Sequence, residues 1–141
     1  MRILAVDVGD RRIGLAVCDE QEMIATPLDT IDNVRNMNDG LRKVLVRAEE
    51  EEVGEIVVGL PIPLSGGTNE RLAAVEHFVA QLRKLSHVPV TTMDERMTTK
   101  IAERVLIQQG VRRKERREVV DRIAAAVILE GYLARRRGGR T

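Results

Sequence analysis

Aromatic side chains are almost missing from this 141-residue chain: there is no tryptophan, and Phe78 and Tyr132 stand alone. Proteins that read single-stranded bases usually stack them on aromatic rings. Any nucleic acid bound here is therefore expected to be held by backbone and shape more than by its bases. Cysteine is scarce as well. With Cys18 alone there is neither a disulfide framework nor a Cys-based zinc site. The only histidines, His77 and His87, fall in or just after an expected helix, at unremarkable positions. Long apolar runs are also absent. The first, Ile3 to Val6, is broken by Asp7 and is too short for a signal peptide or a spanning helix. The expectation is a cytoplasmic protein without membrane contact.

What is present is a globular composition, 43% apolar and 32% charged, in a length that suits one domain with its own core. The net charge of +1 hides an uneven spread. Glu49 to Glu55 reads EEEEVGE, whereas Arg104 to Thr141 holds eleven Arg or Lys against four Asp or Glu. Such asymmetry is the footprint expected of a phosphate-backbone binder; a solvated Arg-rich helix and tail is the competing reading.

Residues 2–8, RILAVDV, read as a buried strand, and Arg12 to Cys18 as a second, joined to it by a GDR turn as a hairpin. Met23 to Pro27 is expected as a short edge strand. Asn38 to Val53 has helical spacing at Leu41, Val44, Leu45 and Ala48, with Gly54 as a stop. Glu55 to Leu60 is a further buried strand, followed by the loop PIPLSGG. Thr68 is expected to cap a helix to about Leu85, whose core stripe is Leu72, Val75, Phe78, Val79 and Leu82. Val88 to Met93 reads as the last strand. A helix from Thr98 or Thr99 to Gln109, stopped by Gly110, follows. Next come a basic connector, VRRKERR, and a last helix over about Glu118 to Arg135. The expected domain is 1–135, with 136–141 a frayed basic tail. An opening meander followed by strand–helix alternation predicts an α/β fold. Its mixed five-stranded sheet has three antiparallel strands, then two parallel ones, with helices on both faces.

Three acidic positions could carry chemistry. Asp7 lies near the end of a strand buried on both faces, and such a strand rarely holds a carboxylate unless that group is paired or coordinates something. The plainer role of opening the turn suits Asp10 better. Asp94 and Glu95 close the last strand; side chains alternate there, so one of the two is expected to reach the site. Capping of the next helix, or pairing with Arg96, is the alternative. Asp121 precedes the small residues Ala124 and Ala125, which would let the last helix lie close to the sheet. A first-turn carboxylate is also ordinary helix-dipole chemistry. Together the three acids can converge at one pole of the sheet, where carboxylate oxygens suit Mg²⁺ or Mn²⁺. Two such ions about 4 Å apart are the common arrangement for phosphodiester hydrolysis, which needs no histidine.

The segments VDVGDRRIGLAV, IVVGLPIPLSG, DERMTT and VDRIAAAVILEGYL, in this order from Met1 to Tyr132, resemble the YqgF/RuvX family. The resemblance implies an RNase H-like fold, similar to Holliday-junction resolvases. It also implies a cytoplasmic nuclease that matures the 5′ end of pre-16S rRNA. It further implies Asp7, Glu95 and Asp121 as catalytic and metal-holding acids, with Arg12, Arg96 and Thr98 on the phosphate side and Gly59 with Pro61 shaping the adjoining loop. One departure stands out. Related junction resolvases carry a further acid one turn along the last helix, where this chain has Ala124, and Glu118 lies one turn earlier.

Other readings compete with this one. A nucleotide-hydrolysing enzyme of the sugar-kinase and actin type shares the Asp-x-Gly turn but closes two such domains around its ligand. A non-catalytic RNA-binding assembly module would keep the fold without the reaction. Junction cleavage would need two sites in a symmetric homodimer, for which the helices over Thr68–Leu85 and Thr99–Gln109 offer apolar faces.

Overall fold

The apolar runs differ in how completely they avoid water, and that sets their places in the sheet. Ile3–Val8 (β1) is buried from Ile3 through Asp7, and Ile13–Cys18 (β2) is buried throughout. Strands of this kind belong in the middle of a sheet covered on both faces. The computed structural model describes residues 1–32, 34–63, 65–94 and 113–138, with side chains in the last stretch from Ile123 onward. It adds β3 (Ala25–Ile31), β4 (Glu55–Leu60) and β5 (Val90–Asp94), giving the order β3-β2-β1-β4-β5. β1 pairs antiparallel with β2, and β2 with β3, whereas β1, β4 and β5 run parallel. The described helices are α1 (Met37–Glu50), α2 (Glu70–Leu85) and α3 (Arg113–Gly138). None is long and apolar enough to cross a membrane.

Strand alternation divides the core in two. Leu4, Val6, Leu15, Ile56 and Val58 face α1 and α2, meeting Leu41, Val44, Val75, Phe78 and Leu82. Ile3, Ala5, Ala16, Cys18 and Val57 face α3, meeting Ala125, Ile128, Leu129 and Leu133. Ala5, Ala16 and Cys18 on the sheet are small, and so are Ala124, Ala125 and Ala126 on α3, all buried. Gly131 continues this close approach, since a Cβ there would lie 2.8 Å from Met93 Cε.

Most boundaries agree with the sequence reading, and the differences have local causes. β3 runs on to Ile31, well past Pro27. It is an edge strand, where proline costs no ladder bond to a further neighbour, and a register shift opposite Leu15/Ala16 absorbs the irregularity. The cap of α2 is Asn69 instead of Thr68: its side chain accepts from Leu72 N at 2.8 Å. Asn is the stronger cap. The basic segment read as a connector is helical from Arg113, and α3 continues through Gly138, past the boundary expected at 135. The helix expected over Thr98 or Thr99 to Gln109 lies outside the described residues.

The small-residue seam under α3 predicts a size limit. Ala125→Leu should overpack it and destabilise the protein by about 1–3 kcal/mol. Urea unfolding followed by far-UV circular dichroism measures this, and an unchanged midpoint would contradict the packing.

Candidate functional site

The hairpin between β1 and β2 closes on a backbone hydrogen bond. Gly9 N donates to Arg12 O at 2.8 Å, and a Cβ on Gly9 would lie 2.9 Å from that oxygen, so only glycine fits without displacement. Two residues earlier stands Asp7, a carboxylate-bearing side chain only 5% exposed. It lies opposite Gly14 on β2. On its other side Val6 pairs with Val58, and the next residue of β4 is Gly59, also buried. Asp7 shares its face with Ile3 and Ala5, the face that α3 covers. Its cross-strand neighbours thus lack side chains, and the sheet around the carboxylate is bare. β4 and β5 end at the paired residues Leu60 and Asp94, so three parallel strands finish at this pole, the usual ligand side of such sheets.

The other end of α3 is fixed by a second buried acid, which the sequence reading passed over. Glu55, the first residue of β4, is 6% exposed. Its carboxylate accepts hydrogen bonds from the Tyr132 hydroxyl and, at 3.0 Å, from Thr91 Oγ1. Arg136 Nη1 lies 3.5 Å from Glu55 Oε1, while its Nε donates to Glu22 Oε1 at 2.8 Å. The same guanidinium sits over the Tyr132 ring, 5.7 Å from the centroid. The bond to Glu22 pushes the Arg136 pKa further up, so the cation is permanent. Glu22 is held in place by the turn before β3, where Asp19 Oδ1 accepts from Met23 N and Ile24 N at 2.8 and 2.9 Å. Those bonds hold the Asp19 carboxyl below its usual range. The available signal was a charge opening an otherwise apolar strand, together with the chain's one tyrosine.

This anchor sets the axial position of α3. Tyr132 is tied to Glu55, whose register partner is Ile3. From Tyr132 back to residue 121 is about 16 Å of helix, and from Ile3 forward to Asp7 about 13 Å of strand. Asp121 and Asp7 therefore lie at similar distances from the anchor. Asp121 is also well inside α3, in its third turn, because the helix begins at Arg113. The helix-dipole explanation for this acid, which required a first-turn position, is removed.

The remaining predicted residues divide clearly. Arg12 is described at the base of the hairpin, its Nε 3.5 Å from Asp32 Oδ1, a partly exposed pair worth little to stability. Glu95, Arg96 and Thr98 lie outside the described residues, as does the Asp121 side chain. Among the described residues no group of three or more His, Cys, Asp or Glu side chains could hold a metal. The donor that is described, Asp7, is a hard carboxylate whose charge at this burial needs cations or donors facing it, and that fits a divalent ion. The basic region also divides. The run at 113–117 opens α3, whereas Arg135, Arg136 and Arg137 close it beside the start of β4. Cys18 offers no nucleophile: it is buried, its Sγ accepts from Ile3 N at 3.2 Å, and burial pushes the thiol pKa up.

Residues 1–135 match the family model described as RuvX, Holliday junction resolvase. The chain belongs to the RuvX family. A relative from Desulforudis audaxviator is 41% identical over 140 residues, covering 99% of each chain. One from Geobacillus kaustophilus is 43% identical over 138 residues, covering 97% of this chain and all of that one. Both carry the name "Putative pre-16S rRNA nuclease". Among solved structures, T. thermophilus RuvC in complex with Holliday junction substrate superposes with a TM-score of 0.62 at 19% identity, covering 98% of this chain and 97% of that one. At that identity the likeness establishes the fold, which for this RuvX-family chain is the RuvC-like, RNase H-like one.

The anchor at Glu55 yields a stability prediction. Tyr132→Phe removes one donor from a buried carboxylate and should cost about 1–3 kcal/mol. A lowered urea midpoint with an unchanged far-UV spectrum is expected; a midpoint equal to that of the parent would deny the hydrogen bond its role.

Proposed function

We propose that this chain is a divalent-metal-dependent nuclease of the cytoplasm that hydrolyses phosphodiester bonds in the 5′ leader of pre-16S rRNA. The observation that carries the reading is Asp7, a buried carboxylate at the carboxyl end of the central parallel strand, with glycine on its sheet neighbours. The names and full-length coverage of the relatives favour precursor rRNA as the substrate.

In this reading Asp7, Glu95 and Asp121 hold Mg²⁺ or Mn²⁺, two ions in all. Two considerations support the set. Glu95 follows Thr91 and Met93 by even steps, and Thr91 and Met93 lie on the α3 side of the sheet with Asp7. Asp121 shares the axial level of Asp7, and it stands one turn before the buried Ala125. Bound there, the ions would supply positive charge to activate water and to neutralise the departing oxygen. The protein's own groups do the rest. Asp7 is oriented by a rigid strand and flanked by the buried glycines Gly14 and Gly59. Arg12, Arg96 and Thr98 contact phosphate oxygens. The cations at 113–117 crowd the N-terminal end of a helix, the end where cations are disfavoured by the dipole. Positive charge concentrated there attracts the backbone of an incoming strand.

The family description and the RuvC likeness favour a second reading, cleavage of branched DNA by a homodimer. Against it, the position of the further resolvase acid on α3 is Ala124, which is fully buried.

The deciding experiment is cleavage of a pre-16S 5′ leader, a single-stranded DNA and a four-way junction with Mg²⁺, Mn²⁺ or EDTA. Metal-dependent cutting, strongest on the leader, is expected, and Asp7→Asn should reduce it by at least about a hundredfold. Preference for the junction would select the second reading. Binding of RNA without any cutting, by parent and variant alike, would leave a non-catalytic assembly module.

A further inference from the structure

The hairpin that presents Asp7 has another side. Val8 follows Asp7 and, by strand alternation, faces the opposite layer, where it lines a cleft of about 240 Å³ between the hairpin, α1 and α2. That is smaller than a pocket for a drug-sized ligand, which takes about 300–1,000 Å³, and equals the share of about eight water molecules. By volume it has room for a single ring system. Val75 and Phe78, one of the chain's two aromatic residues, lie along its apolar wall.

The mouth is charged. Arg35 and Arg71 both line the cleft and both are exposed, and no described carboxylate lies within ion-pair distance of either. The nearest acid to Arg35 along α1, Asp39, is already engaged by Arg42 and Lys43 at 3.1 Å each. Asp10, also at the mouth, adds one acceptor and leaves a local excess of positive charge. An apolar slot, an aromatic edge and two uncommitted guanidinium groups together match a nucleotide: the ring enters the slot and its phosphate meets the arginines. Asp7 and Gly9 are two strand residues apart, roughly 7 Å, a span that one nucleotide of an extended strand covers. Gly9 has no side chain to block the crossing.

We infer that this cleft is a base pocket, taking one unpaired nucleobase of the strand held at Asp7, with Arg35 and Arg71 on its phosphate. The inference rests on the nuclease reading and adds a requirement to it: the substrate is unpaired beside the cut. It also qualifies the expectation from the scarcity of aromatics, since one base, and no stack of bases, is read.

Binding to a 12-nucleotide RNA, to DNA of the same sequence, and to RNAs with an abasic residue at each position in turn tests this, by fluorescence anisotropy in the Asp7→Asn background. One abasic position should weaken binding about tenfold, within the range for loss of one stacked base. Ala74→Leu, which places a side chain in the cleft from an exposed position on α2, should cause a similar loss on intact RNA and none on the RNA already abasic at that position. Arg71→Ala should weaken both and reduce the salt slope by about one. The same profile on DNA would mean that the pocket takes the base whatever the sugar. Full-strength binding by Ala74→Leu, or an abasic scan without a sensitive position, overturns the pocket. If the protein with Asp7 intact still cuts with metal in that case, the nuclease reading survives; if it neither cuts nor binds either nucleic acid, both fall.

Discussion

A carboxylate buried at the first residue of β4 has to be met by donors, and that requirement governs where α3 lies. Glu55 is satisfied from three directions: Thr91 within the sheet, and Tyr132 and Arg136 from the helix above. Removing a partner from a buried charge is costly, about 3–5 kcal/mol for a full ion pair, so α3 cannot slide along the sheet without losing these contacts together. The small residues beneath α3 set how close the helix comes, and Glu55 sets how far along it sits. With both fixed, every residue of α3 has an assigned level above the strands, including the acid at 121.

The same anchor gives the molecule two unlike ends. At one, the start of β1 and β4 meets the turn that carries Glu22 and the C-terminal turn of α3, and opposite charges are paired there. At the other, three parallel strands stop, the hairpin turns over Gly9, and the basic run at 113–117 begins α3. The excess of arginine in the last third of the chain therefore has two separate uses. Arg136 is committed to holding the fold, whereas the cations at 113–117 stand at the far end of α3.

The sheet was legible in the sequence because its signal is local. Six-residue apolar runs bounded by glycine, proline or acids define β1, β2 and β4 almost to the residue, and the alternation that follows them dictates parallel pairing. Pro27 and Asp29 are turn-like residues that local pattern does not place in a strand, and their tolerance at an edge depends on a strand order that no single segment encodes. The start of α3 is illegible for a related reason: VRRKERR lacks an apolar stripe, so periodicity has nothing to register, and the helicity from Arg113 follows from the anchored segment after it. Asp7 was legible as a charge in an apolar strand. Glu55 carries the same signal but at a strand boundary, where a solvated glutamate is ordinary, and its partners are distant in sequence. Its burial depends on Tyr132 and Arg136, contacts that only the folded chain creates.

The order of synthesis gives the seam under α3 a further consequence. Every described strand is made before α3, so Ile3, Ala5, Ala16, Cys18 and Val57 lack their helical cover while α3 is still being translated. The layer formed by α1 and α2 can close beforehand on the other side, leaving a half-covered sheet with one sticky surface. In that interval Glu55 also lacks two of its partners. Docking of α3 is therefore the step that protects the nascent chain from aggregation, and it is the same step that brings residue 121 over the strands. A chain stalled before α3 would be both sticky and without residue 121, so covering this face and placing that acid are one event.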